Sequence, residues 1–133
     1  MASVFVTGGT GYIGRPLLEA LLARSHAVHA LVRGGAERRL PSGVVTVVGD
    51  ALDAASFVAR IPERATIVHL VGTPHPNPSK AAEFERVDLG SVRATTTAAH
   101  AKRGRRTSYT SASRIRRPSC TPTSPRACRG SRW

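Results

Sequence analysis

Ser3-Val-Phe-Val-Thr7 runs directly into Gly8-Gly9-Thr10-Gly11-Tyr12-Ile13-Gly14, after which an apolar helical pattern begins. The first run reads as a buried strand. The glycines permit a tight turn and a close approach of backbone to ligand, and the helix start offers unpaired N–H groups with the positive end of its dipole. Gly8, Gly11 and Gly14, set between strand and helix, therefore mark a loop shaped for a nucleotide diphosphate. Thr10, Tyr12 and Ile13 are expected to add side chains and amides around it. A glycine-rich turn without a ligand is the plainer alternative, and the agreement of strand, spacing and helix argues against it.

The pattern then repeats. Pro16 falls in the first helical turn, where its missing N–H costs little, and Leu17, Leu18, Leu21 and Leu22 give the stripe of a helix packed on a sheet. Ala27–Val32 reads as a second strand ended by Arg33-Gly34-Gly35. Val44–Val48 is a third, its nearly continuous valines suggesting a strand covered on both faces. Asp53 suits the cap of a short helix over Ala54–Ile61, stopped by Pro62. Thr66–Val71 is a fourth strand, and Asn77-Pro78 opens a helix toward His100. Strands alternating with crossovers predict an α/β fold, a parallel sheet in the order 3-2-1-4 with helices on both faces. The ligand crevice lies at the carboxyl ends of strands 1 and 4.

The loops at those ends carry the chemistry. An acidic group after strand 2 would bind a bare ribose, whereas an arginine pairs with a 2′-phosphate. Arg33 stands there, with Arg38 and Arg39 close behind, which favours NADP(H) over NAD(H); a solvated surface arginine is the alternative. Asp50, followed by Ala51, ends strand 3 beside the expected adenine pocket, where its carboxylate either accepts from the adenine amino group or stabilises a turn. Val71, Gly72 and Thr73 leave strand 4 where the nicotinamide ribose is expected. His75, among prolines, is read as structural or solvated, so no catalytic residue is assigned. No metal site is expected, and neither cysteine, Cys120 or Cys128, has metal or redox spacing.

Thr7–Gly14, Leu31-Val-Arg33, Gly49-Asp50-Ala-Leu-Asp53 and Val68-His-Leu-Val71 together resemble the extended and atypical short-chain dehydrogenase/reductases. The similar groups are the NAD(P)-dependent epimerase/dehydratases and the NmrA-like NAD(P)H-binding proteins. The likeness covers residues 3 to about 100. It implies a Rossmann fold, NADP(H) held by Gly8, Gly11, Gly14 and Arg33, and adenine contact at Asp50. Asp88 stands near a position where the family often has asparagine, and no role is transferred to it. The family's fifth strand and its Tyr-x-x-x-Lys proton relay have no counterpart in the sequence: Tyr109 is followed four residues on by Ser113.

Charge divides the chain at the same place. Residues 1–100 carry 10 Lys/Arg against 8 Asp/Glu, while residues 101–133 carry 10 Lys/Arg and no acid. Residues 1–100 are thus expected to be a partial dinucleotide-binding domain truncated after about four strands, leaving strand 4 as an exposed edge. Residues 101–133 are expected to be a disordered basic tail, too poor in apolar residues to offset the entropy of folding. Reading that tail one base out of frame permits Val-Val-Tyr-Val-Ser from Thr107 onward, a strand ending in serine where the family has one. A frameshift near Ala101–Arg106 is the resulting expectation. A basic arm for nucleic acid is the alternative, disfavoured because Tyr109 and Trp133 are its only aromatics. A non-catalytic NADP(H)-binding module is another. Without a signal-like or membrane-length apolar segment, a cytoplasmic protein acting on an unidentified small molecule is expected.

Overall fold

The computed structural model describes residues 1–73 and 78–102, with the backbone of 109–111. Strand β1 (Ser3–Thr7) leads through the glycine turn into helix α1 (Gly14–Ala23), and β2 (Ala27–Val32), β3 (Val45–Val48) and β4 (Thr66–His69) follow. Every strand pair is parallel, and the sheet runs β3-β2-β1-β4-β5. This is the predicted order with one addition. A three-residue strand, β5 (Tyr109–Ser111), lies beside β4 with Ile67 opposite Tyr109. The edge expected to be bare is therefore paired over Ile67–His69, because unsatisfied backbone groups on a strand edge recruit whatever extended segment reaches them. Residues 103–108 and 112–133 of the expected disordered tail lie outside the described residues, so the shifted-frame segment is described only at Tyr109–Ser111, which form β5 in the frame as given.

Alternation along the strands divides the core between two faces. Val4, Val6, Val28 and Ala30 point to one side, where α1 inserts Leu18, fully buried, with Leu21 and Leu22 beside it. Phe5, Leu31, Val47 and Ile67 point to the other, against Phe57, Ile61, Ala65 and Ala98. Phe5 and Phe57 stack there with ring centroids 5.9 Å apart.

Two local expectations are corrected. Residues 54–61 form no single helix but two 3₁₀ turns, Ala54–Ser56 and Val58–Arg60, with Asp53 still capping through its bond from the Ala55 N–H at 3.0 Å. Burial of both Phe57 and Ile61 under the sheet holds this short crossover in that shape. Strand β3 is also not covered on both faces: Val47 is buried, but Val45 and Val48 are 51% and 43% exposed, because β3 is the outermost strand.

The second long helical segment starts as predicted at Pro78 and changes pitch on the way. A 3₁₀ turn (Pro78–Lys80) and a short helix α2 (Ala81–Phe84) pass into a π turn (Glu85–Leu89) before α3 (Gly90–Ala101). Ser91, Ala94, Thr95 and Ala98 form the buried stripe of α3, at the spacing of one helix face.

Candidate functional site

The glycine turn closes the carboxyl end of β1. Gly8 has φ +78°, and a Cβ there would stand 2.7 Å from the Leu70 carbonyl carbon. A Cβ on Gly14 would stand 2.7 Å from the Cα of Gly9. The fold itself thus demands both glycines, one for the approach of β1 to the β4 exit and one for the seating of α1. Gly11 differs: its Cβ would meet only the Gly8 carbonyl oxygen, at 3.3 Å, and the residue is exposed. The first rungs of the helix run from Arg15 N–H to the Gly11 carbonyl and from Leu17 N–H to the Ile13 carbonyl. The amides of Tyr12, Ile13 and Gly14 precede that ladder, at the positive end of the helix dipole.

This turn forms one wall of a cavity of about 510 Å³. Of the residues singled out from sequence, Gly8, Gly11, Tyr12, Ile13, Gly14, Val71 and Gly72 line it together. Thr10, Arg33, Asp50 and Ala51 do not. Arg33 is exposed after β2. Asp50 Oδ1 accepts from the Leu52 N–H at 2.9 Å, the turn-forming alternative, while its own N–H donates to Ser56 Oγ at 2.9 Å. Ala51 packs against the Phe5 face of the core. His75 and the tail cysteines lie outside the described residues. Among the described residues no group of His, Cys, Asp and Glu is arranged to hold a metal.

The opposite wall has no counterpart among the expected site residues beyond Val71, Gly72 and Thr73. His69, Leu70, Thr73, Phe84, Asp88, Leu89 and Val92 complete the lining. His69 is the register partner of Thr7 across the β1–β4 pair and is 3% exposed. Its Nδ1 lies 2.8 Å from Thr7 Oγ1 and 3.2 Å from Thr95 Oγ1, and its Nε2 lies 3.2 Å from Ser91 Oγ. The Ser91 hydroxyl donates to the Asp88 carbonyl at 3.2 Å, so its oxygen is left to accept from Nε2–H. Nδ1 is then the lone-pair side, accepting from Thr7. Burial pulls the His69 pKa below its ordinary value, opposed by the negative charge of Asp88 and by a backbone hydrogen bond at Val71. The imidazole is a neutral strut between β1, β4 and α3.

Asp88 sits in the π turn, and its Oδ2 accepts from both the Thr73 N–H at 3.0 Å and the Thr73 hydroxyl at 2.6 Å. It thereby ties the β4 exit loop to the helix. A sequence signal for this wall exists: Asp88, Ser91 and Thr95 recur at three- and four-residue spacing in an otherwise apolar stripe.

A family model described as NAD(P)H-binding matches residues 8–127. A 3-diazoavenalumate denitrifying reductase from a Streptomyces species is 47% identical over 58 residues, 44% of this chain and 18% of the reductase. A 4-hydroxy-2-methyl-3-oxo-4-farnesyl-3,4-dihydroquinoline-1-oxide ketoreductase from Stigmatella aurantiaca is 69% identical over 29 residues, 22% of this chain and 9% of that protein. Among solved structures, UDP-glucose 4-epimerase from Brucella ovis in complex with NAD superposes with TM-score 0.69 at 20% identity, covering 82% of this chain and 35% of the epimerase. The UDP-glucose 4-epimerase of Thermus thermophilus in complex with NAD gives TM-score 0.62 at 24% identity, with 75% and 34% covered. The chain spans less than a fifth of these curated relatives and about a third of these structures. With a parallel doubly wound sheet and a family match over most of its length, the chain belongs to the NAD(P)H-binding family and has a Rossmann fold like that of the UDP-glucose 4-epimerases on which it superposes.

Proposed function

We propose that this chain is the NADP(H)-binding part of a reductase of the short-chain dehydrogenase/reductase type. The observation that carries the reading is the contrast among the three glycines: packing against backbone accounts outright for Gly8 and Gly14, whereas a Cβ on Gly11 would crowd one protein atom, the Gly8 carbonyl oxygen at 3.3 Å, and otherwise face the cavity. A residue kept without a side chain beside a helix N-terminus suits a pyrophosphate brought against main-chain amides. In this reading the amides of Tyr12, Ile13 and Gly14, with the Thr10 side chain, hold the diphosphate. Val71 and Gly72 face the nicotinamide ribose, Arg33 pairs with the 2′-phosphate, and Asp50 and Ala51 border the adenine. When bound, the coenzyme supplies a hydride donor or acceptor. The protein's part is to fix its ribose and ring at the β4 exit, where the Asp88–Thr73 bonds hold the loop. The names of both curated relatives, a denitrifying reductase and a ketoreductase, support reduction as the reaction class, with the substrate bound by segments beyond the matched portion.

Titration calorimetry with NADPH and NADH tests this. Gly11→Ala is expected to keep the fold and lower affinity for both coenzymes about tenfold, ~1.4 kcal/mol. Unchanged binding in that variant, or no binding by the parent chain, refutes the reading. A non-catalytic coenzyme-binding module is the second reading, favoured by the missing Tyr-x-x-x-Lys pair; turnover by a form carrying the relatives' full length would exclude it. We further infer that residues 101–133 come from a shifted frame of a longer coding sequence. Their composition supports this, and sequencing the coding DNA past His100 for a second long open frame decides it.

A further inference from the structure

We propose that Asp88 sets the redox-state preference of the coenzyme site, favouring the oxidised form with its cationic nicotinamide over the reduced, neutral one. This rests on the dinucleotide reading above. The cavity extends from the glycine turn toward β4, whereas the adenosine-side residues Arg33 and Asp50 stand outside it beyond β2 and β3. The Asp88 wall is accordingly the nicotinamide half.

In that half, Asp88 contributes a carboxylate and the remaining described lining is neutral or apolar: Gly72, Thr73, Phe84, Leu89 and Val92. Among the described residues no cation forms an ion pair with it. Its two bonds come from the Thr73 amide and hydroxyl, which orient the charge without cancelling it. His69, on the same wall, is held neutral by burial, an effect that the Asp88 charge opposes. The π turn that carries Asp88 is a widened helical turn of the kind that recurs at functional positions. Oxidised and reduced coenzyme share the same phosphates, ribose and adenine and differ by one positive charge on the ring. Interactions with the glycine turn and Arg33 therefore largely cancel in the ratio of their affinities. A fixed negative charge near the ring does not cancel.

Affinities for NADP⁺ and NADPH, measured by calorimetry on the full chain and its variants, test the assignment. The parent chain is expected to bind NADP⁺ several-fold more tightly than NADPH. Asp88→Asn, which can keep an oxygen acceptor for Thr73 and removes the charge, is expected to erase most of that ratio through NADP⁺. Thr73→Val removes a hydroxyl and no charge, and is expected to weaken both forms alike. A parent ratio of one, or one favouring NADPH, overturns the proposal even where Asp88→Asn does not fold. Equal weakening of both forms by Asp88→Asn also overturns it, leaving Asp88 a loop fastener. Absence of binding by either form refutes instead the dinucleotide reading on which the proposal rests.

Discussion

On either side of β1 the carboxyl edge of the sheet is built in opposite ways. Toward β4 it is closed: Thr7, His69, Ser91 and Thr95 interlock in the buried interior, and Asp88 fastens the exit loop from outside. Toward β2 and β3 it is open: Arg33, Arg38 and Arg39 are exposed at the surface, and Asp50 is occupied with its own turn. On the closed side the His69 ring and Asp88 Oδ2 are already committed to hydrogen bonds that tie β1, β4 and the helix together. The open side can exchange residues without disturbing the fold. Such positions are where a family can change which nucleotide it accepts.

The largest effect that would separate the sides is expected at their junction. Gly14→Val should abolish cooperative unfolding in a thermal melt, since its Cβ would stand 2.7 Å from backbone atoms and overpacking against backbone costs upward of about 3 kcal/mol. A folded Gly14→Val would mean that the close contact of α1 with the turn does not organise this edge.

Next comes the closed side. His69→Ala strands the Thr7 and Thr95 hydroxyls around a void, while Ser91 keeps its bond to the Asp88 carbonyl, and should cost about 3 kcal/mol in denaturant titration. Its pH dependence sharpens the point. Burial lowers the folded-state pKa of His69 below the unfolded value, so the unfolded chain binds more protons as pH falls through the ordinary histidine range, near 6.5. Stability should be flat above that range and decline below it, and His69→Ala should flatten much of the decline. An undiminished acid decline in the variant would shift the cause to other groups, His29 among them, whose pKa is also lowered by burial.

The open side should respond in affinity alone. Arg33→Ala is expected to leave the melting curve in place while lowering NADPH affinity about tenfold and NADH affinity little, the loss of one charge-assisted phosphate pairing. Unaltered selectivity would remove Arg33 from the site. The smallest effect is Asp53→Ala, which deletes the cap bond to Ala55 and should lower stability by about 1 kcal/mol with coenzyme binding retained.

Much of this was legible in the residues. The glycine spacing, the four runs of β-branched residues and the leucine stripe of α1 each express a local rule, whether of backbone sterics or of side-chain period. They yielded the strand order and the turn that meets the cavity. The polar wall was harder to see. Thr7 and His69 are 62 residues apart, and only the register of β1 on β4 sets them opposite one another. A histidine inside a valine-rich strand looks like any half-buried residue until its partners are placed.

The sequence by itself determined the βα turn, the parallel α/β class and the polarity of each loop, because short-range sterics and hydrophobic period act within a few residues. The tertiary structure alone decided that Gly11 is the glycine left open to the cavity, that Asp88 belongs to its wall, and that Tyr109–Ser111 lies against β4. Those facts depend on how distant segments pack against one another, and close packing across strands and helices is not encoded in the spacing of any single segment.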